Sequence, residues 1–407
     1  MSQYIIIPAA FTGGETGCEN ACSAAAYADE RAKHMPAQHT IFMLGAVDVG
    51  KTHMTTKLAN AFFMRGFRVA VVDADIGQSD IGPPCCVGVG ILRRSVRFLH
   101  EVPLCCIFFV GSTSPMNCIR ESICGTVSGV KKAKELGADV IIVDSTGWVS
   151  GKHAVEFKIK EIMHTKPSFI VAIERENELQ PLIDSLLNHF PHRLCSSSSN
   201  AEDVVDVVLS ASFSAASPTV SSSPSLLPSS SPSSSLSDSS LPQRHDIDID
   251  IDIDIDAGER AGHILRLKAS ENVRRKARWY RRRLREIAFN RYFRDARNRL
   301  FPISSFERTP SEADEGVICG FFAAPSGAVK EASEVGADHA TDSAVGAAAY
   351  CEKEAMGIGV LRRVDRRSGV AVVLTPVRED EVVIRLGRTR LWRVKGRLRE
   401  FKLACSG

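Results

Sequence analysis

Between residues 40 and 190 the chain alternates short apolar runs with longer amphipathic stretches. The runs at 40–44, 68–73, 105–110, 139–144 and 168–173 have the length of strands, and the stretches near 53–65, 118–136, 152–164 and 178–189 read as helices. Such alternation predicts βα units, hence an α/β fold with a mainly parallel sheet flanked by helices on both faces. The polar loops 45–50, 74–80, 111–117 and 145–151 each follow a strand. They therefore gather at the carboxyl edge of the sheet, where open α/β folds collect ligands.

Beyond residue 194 the pattern breaks. A Ser/Pro tract (196–242) is followed by alternating Asp and Ile from 246 to 256. That alternation has the period of a strand, but a row of like charges on one face repels itself, so 195–262 reads as a disordered insertion. The Arg-rich stretch 270–298 reads as one helix. Runs at 316–322, 356–361, 370–375 and 382–387 then suggest strands of a smaller β-rich domain. The expected organisation is a loose leader over 1–38, a core domain over 39–194, the insertion 195–262, the Arg-rich helix within 263–300, and a C-terminal β-rich domain over 301–407 interrupted by an insertion at 324–352.

Composition changes this picture little. Hydrophobic content of 44% is ordinary for a globular protein, and no apolar run is long enough to span a membrane. The N-terminus lacks a basic region followed by an apolar core, so no secretion signal is expected. The twelve cysteines have no informative spacing; Cys18 and Cys22 could share a metal, but no second pair of ligands accompanies them. They read as free thiols of a reducing compartment. Charge is more telling. The net charge of +3 conceals fourteen lysines and arginines within 266–299, opposed only by Glu271, Glu286 and Asp295. A face this basic suits a polyanion better than a small neutral substrate.

The chemistry is concentrated after the first strand. Gly45, Ala46, Val47, Asp48, Val49, Gly50, Lys51 and Thr52 match G-x-x-x-x-G-K-[ST], with an apolar strand before and a helix from His53 after. In that context backbone N–H groups wrap nucleotide phosphates at a helix N-terminus, Lys51 reaches the β- and γ-phosphates, and the Thr52 hydroxyl ligates Mg²⁺. Two further strands end in acids: Asp73 and Asp75 after one, Asp144 after another. Carboxylates placed there can hold Mg²⁺ through water or accept a proton from an attacking hydroxyl. Asp73, nearest its strand, could equally bond the backbone of its own turn. Trp148, in the loop after Asp144, could stack on a base or pack beneath the loop.

With these pieces in place the chain resembles the polynucleotide 5′-hydroxyl kinase family, most closely its archaeal RNA-kinase branch, which is related to the kinase subunit of eukaryotic pre-mRNA cleavage and tRNA-splicing complexes. The resemblance rests on Gly45 to Thr52, Asp73-Ala-Asp-Ile-Gly-Gln78, the 109–115 run, Asp144 to Trp148, and the basic segment ending in Arg291-Tyr292-Phe293. It implies a P-loop NTPase fold and transfer of the γ-phosphate of ATP to the 5′-hydroxyl end of RNA, with DNA an open alternative. ATP and Mg²⁺ are the implied cofactors. On this resemblance Lys51 and Asp75 are catalytic, with Asp75 deprotonating or orienting the 5′-hydroxyl. Thr52, Asp75 and Gln78 attend the metal, and Thr113, Ser145 and Trp148 hold the terminal nucleotide. Arg282 and Arg285 form a lid that neutralises the transferring phosphoryl group. RNA-processing proteins are implied partners, and the implied location is cytoplasmic for an archaeal protein and nuclear or nucleolar for a eukaryotic one. Three features depart from the family pattern: Ser145 replaces a Thr, Met116-Asn117 replaces Arg-Gly, and the long insertion separates sheet from lid. Two other readings compete: an ATP-binding scaffold that does not turn ATP over, and a small-molecule kinase or switch GTPase. The absence of a guanine-selecting N-K-x-D motif and the size of the basic face argue against the last.

Overall fold

Valine- and isoleucine-rich runs that are apolar on both faces belong in the middle of a sheet covered twice. In the computed structural model, which describes residues 38–189, 264–270, 273–324 and 352–401, such runs build a seven-stranded sheet. Its strands are β1 (His39–Gly45), β2 (Val69–Asp73), β3 (Cys86–Ile91), β4 (Leu104–Phe109), β5 (Val140–Asp144), β6 (Phe169–Glu174) and β7 (Ile264–Lys268), in the order β4-β3-β2-β5-β1-β6-β7. β2, β5, β1, β6 and β7 run parallel, whereas β3 is antiparallel to both neighbours. Alternate residues of each strand enter two separate cores. Phe42, Val72, Val143 and Ala172 pack against helices α2 (Ile119–Glu135), α3 (Lys152–Thr165) and α4 (Gln180–His189). Met43, Val71, Ile142 and Val171 pack against Met54, Leu58 and Phe62 of helix α1 (Lys51–Met64).

The chain then crosses to a six-stranded antiparallel sheet. A single helix, α5 (Arg278–Tyr292), precedes β8 (Arg297–Pro302), β9 (Val317–Ala323), β10 (Gly357–Asp365), β11 (Val370–Thr375), β12 (Val382–Val394) and β13 (Arg397–Phe401), ordered β13-β12-β9-β10-β11-β8. A shared core joins the two sheets. Ile107 and Phe109 of the first, with Cys85 just before β3, meet Phe289 of α5, Phe293 just after it, and Ile318, Phe322, Val360 and Leu391 of the second.

Two expectations are corrected. The basic helix does not run from 270 to 298: residues 273–277 are non-helical, and 297–302 is the strand β8. β3 and β7 join the first sheet without having been expected. The first alternates with glycines and the second follows the insertion, so neither stands out as an apolar run. The leader, the bulk of both insertions and residues 402–407 lie outside the described residues.

Candidate nucleotide and phosphoryl-transfer site

A loop can wrap phosphates only if its N–H groups stay unpaired and its backbone turns sharply. Gly50 ends the loop at φ 98° and begins α1 without a side-chain cap, and no acid occupies the first turn. The N–H groups at that terminus are therefore available to an anion. Gly45 is required at the other end of the loop, because a Cβ there would lie 2.5 Å from the carbonyl of Ile173. Asp48 takes the left-handed conformation at φ 57°, which a short polar side chain tolerates better than most.

The carboxyl edge brings three charged groups beneath this loop. Lys51 is buried and donates to the Ala46 carbonyl at 2.8 Å. Burial pulls its pKa down, while Asp144, Asp75 and Asp48 oppose that shift. Asp144, only 2% exposed at the end of β5, has its pKa pushed up to about 7 by burial, against the pull of Lys51 and of a hydrogen bond with Thr52. Its Oδ1 has no hydrogen-bond partner among the described residues. Asp75 is also raised by burial and held back by Lys51. Its Oδ1 accepts the N–H groups of Gly77 (3.2 Å) and Gln78 (3.1 Å), which fixes the carboxylate.

Asp73 takes the other role open to it. Its Oδ2 accepts from the backbone of Asp80 (2.7 Å) and Ile81 (2.9 Å), and its Oδ1 from Asp75 (3.1 Å). Burial, then Asp144, drives its pKa well up. Asp73 shapes the loop that presents Asp75.

The remaining predicted residues divide. His53, partly exposed on the first turn of α1, has its pKa lowered by burial and by Lys57. Gln78 donates its amide to the Gly77 and Arg281 carbonyls, both at 3.2 Å, so it links the 74–80 loop to α5. Ser145 does not face a groove: it is fully buried and donates to the Met43 carbonyl at 2.7 Å, tying β5 to β1. Trp148 is half-buried, with Phe157 of α3 5.6 Å from its ring centre, so one part of the indole rests on the helix. Beneath it, Lys158 is wholly buried, pairs with Glu161 at 2.8 Å and lies over the Phe157 and Phe42 rings.

Thr113 and the two lid arginines converge on a residue with no distinguishing signal in the sequence. Glu400 of β13 is 3% exposed; its carboxylate accepts from Thr113 Oγ1 (3.0 Å) and takes a two-pronged pair from Arg285 (3.0 and 2.7 Å). Arg282 donates to the Glu400 carbonyl and lies 3.4 Å from buried Glu286. A carboxylate cannot be buried unpaired, so Glu400 and Glu286 hold these arginines against β13. Arg282 and Arg285, the residues expected to form a lid, are thus engaged by acidic partners in this structure. Arg281 is the member of this group that reaches the loop, donating to Asp48 Oδ2 at 3.0 Å, and the Lys276 N–H joins the same oxygen at 2.9 Å. Arg175 clamps the Asp48 carbonyl from β6. The run Arg281-Arg282-Arg283 signals a basic helix, but which of its faces meets the loop depends on where 273–277 leave it.

Among the described residues no cluster of His, Cys, Asp and Glu is disposed to hold a metal by itself, and no helix is long and apolar enough to cross a membrane. The cysteines at 85, 86, 106, 118 and 319 are buried free thiols.

Known proteins share this arrangement over part of its length. Residues 45–201 match the family model for the P-loop of the mRNA cleavage and polyadenylation factor CLP1. A polyribonucleotide 5′-hydroxyl-kinase of Pyrococcus horikoshii is 36% identical over 156 residues, covering 38% of this chain and 43% of the relative. One of Methanocaldococcus jannaschii is 40% identical over 148 residues, covering 36% and 40%. A CLP1 homolog of Anopheles gambiae is 29% identical over 167 residues. The matches thus span about two fifths of the length of the two kinases. Among solved structures, the Clp1p–Pcf11p (454–563) complex superposes with a TM-score of 0.52 at 11% identity, covering 91% of this chain and 79% of that one, which establishes a common P-loop α/β fold with an appended β domain.

Proposed function

We propose that this chain is an ATP-dependent polynucleotide kinase that transfers the γ-phosphate of ATP to the 5′-hydroxyl end of RNA. The observation that supports it most directly is the meeting of Lys51, Thr52, Asp75 and Asp144 at the mouth of an uncapped helix, each carboxylate held in check by the Lys51 charge. The loop from Gly45 to His53 cradles the triphosphate, and Lys51 offsets charge on its outer phosphates. The unpartnered Asp144 oxygen beside the Thr52 hydroxyl fits Mg²⁺, which when bound shields the β- and γ-phosphate charge. Asp75, oriented by two N–H groups, accepts the proton of the 5′-hydroxyl. A carboxylate raised towards neutrality is a better base than an ordinary one. The choice of a polynucleotide rests on the basic face of α5 and on the two archaeal relatives, which are named as RNA 5′-hydroxyl kinases.

The test is transfer of labelled γ-phosphate from ATP to a short 5′-hydroxyl RNA, with 5′-phosphorylated RNA and Lys51→Ala as controls. Label should enter the hydroxyl-ended RNA alone and vanish in Lys51→Ala. Asp75→Asn should slow transfer by about 10²- to 10⁴-fold while ATP still binds. Binding of ATP without any transfer would remove the kinase assignment.

A further inference from the structure

Trp279, in the first turn of α5, leaves 71% of its surface in water, and Tyr280 meets it only edge-on at 5.7 Å. Its backbone is nevertheless held firmly. Three residues earlier the Lys276 N–H bonds Asp48, and two residues later Arg281 bonds the same carboxylate and accepts from Gln78. Helical spacing sets Trp279 on the face that continues into Arg282 and Arg283, and turns it away from Arg281 and the phosphate loop. Arg274, Arg275 and Arg278 around it are exposed as well. The first turn contains no acid.

A solvent-facing indole on an anchored stretch of backbone, bordered by guanidinium groups, has the chemistry of a platform for single-stranded nucleic acid. The ring stacks on a base of any sequence and the arginines take the neighbouring phosphates. We propose that Trp279 stacks on a base of the acceptor strand downstream of its terminal nucleotide, with Arg278 and Arg283 on the flanking phosphates. Its place downstream rests on the kinase reading above, which puts the terminal hydroxyl at Asp75; Trp279 faces away from that pocket. A duplex, whose bases are already stacked, has nothing to offer the indole. An acidic protein segment would use the arginines but not the aromatic plane.

Equilibrium binding of a fluorescent 5′-hydroxyl oligouridylate to the full chain, read without ATP, tests this. Trp279→Ala should weaken binding by about 5- to 100-fold. Trp279→Phe should restore most of it, and Trp279→Leu should not. Binding of inorganic polyphosphate should be unmoved by Trp279→Ala but weakened by Arg283→Ala. An unchanged affinity in Trp279→Ala, an equal loss for polyphosphate, or rescue by Leu as good as by Phe would overturn the platform; the last two would mark the face as a docking site for protein. Because ATP is absent, the outcomes separate. Failure of phosphate transfer by the wild type would remove the kinase reading and leave the platform standing, and an unchanged affinity would do the reverse.

Discussion

Asp144 illustrates how one side chain can carry both function and instability. Its carboxyl is buried at the end of β5 with one oxygen unpartnered, and its pKa rises to about 7 from an ordinary carboxylate value. The folded protein therefore holds that proton more tightly than the unfolded chain. Between about pH 4 and pH 7 the unfolded state binds fewer protons, so this group lowers stability as pH rises, with the full penalty present above pH 7. Asp144→Asn cannot ionise and escapes the penalty. In EDTA and without nucleotide, the melting temperature of Asp144→Asn relative to wild type should climb from pH 5 and level off above about pH 7. A difference that stayed flat, or fell, across that range would show that the carboxyl is not held protonated. Ser145, its neighbour, shows the limit of motif reading at this scale. A hydroxyl at this position looks available to a ligand in the sequence, yet its donation to the Met43 carbonyl depends on β5 lying beside β1, a pairing between residues about a hundred positions apart.

At the scale of elements, α5 and β13 are fastened by buried charge. Glu400 pairs with Arg285 and Thr113, and Glu286 pairs with Arg399 at 2.6 Å while accepting the Glu400 N–H. Losing one member strands the other: Glu400→Gln or Arg285→Gln alone should cost about 3–5 kcal/mol. The double variant should lose clearly less than the sum, a coupling that denaturant melts of all four proteins would measure. Additive losses would mean that the pair does not hold the helix. This fastening was not legible beforehand, since Arg-Leu-Arg-Glu-Phe at 397–401 says nothing of a partner over a hundred residues away. The parallel strands were legible because burial on both faces forces continuous apolar runs. β3 escaped because Gly88 and Gly90 interrupt it, and both are needed where they stand. A Cβ on Gly88 would strike the Ile81 carbonyl, and one on Gly90 would lie 2.7 Å from Val102. The phosphate loop was readable because phosphate binding constrains consecutive residues; the clasp around Glu400 was not, because it is assembled from three distant segments.

Across the whole molecule, the two sheets touch through backbone where the 111–117 loop begins. Gly111, at φ 80° just after β4, crosses Gly387 of β12 so closely that a Cβ on either would fall 2.6–2.7 Å from backbone atoms of the other. The Gly111 carbonyl accepts from Arg388 (2.7 Å) and Thr389 (3.1 Å), and the Thr389 hydroxyl accepts from the Thr113 N–H at 3.2 Å. The C-terminal sheet thus sets the position of the 111–117 loop, whereas the phosphate loop is built from β1, α1 and β6. The two halves of the proposed reaction should then be separable by one change far from the chemistry. Gly387→Ala places a methyl against backbone that cannot rotate aside, so it should lower stability by about 1–3 kcal/mol and shift Thr113. We expect the KM for a 5′-hydroxyl RNA to rise severalfold and the affinity for ATP to hold, measured by initial rates and by nucleotide titration on the same preparation. If ATP affinity fell in step with RNA affinity, the seam would be supporting the nucleotide loop as well, and the division of labour between the sheets would have to be redrawn. If neither changed, the crossing would be a point of contact without influence on the site.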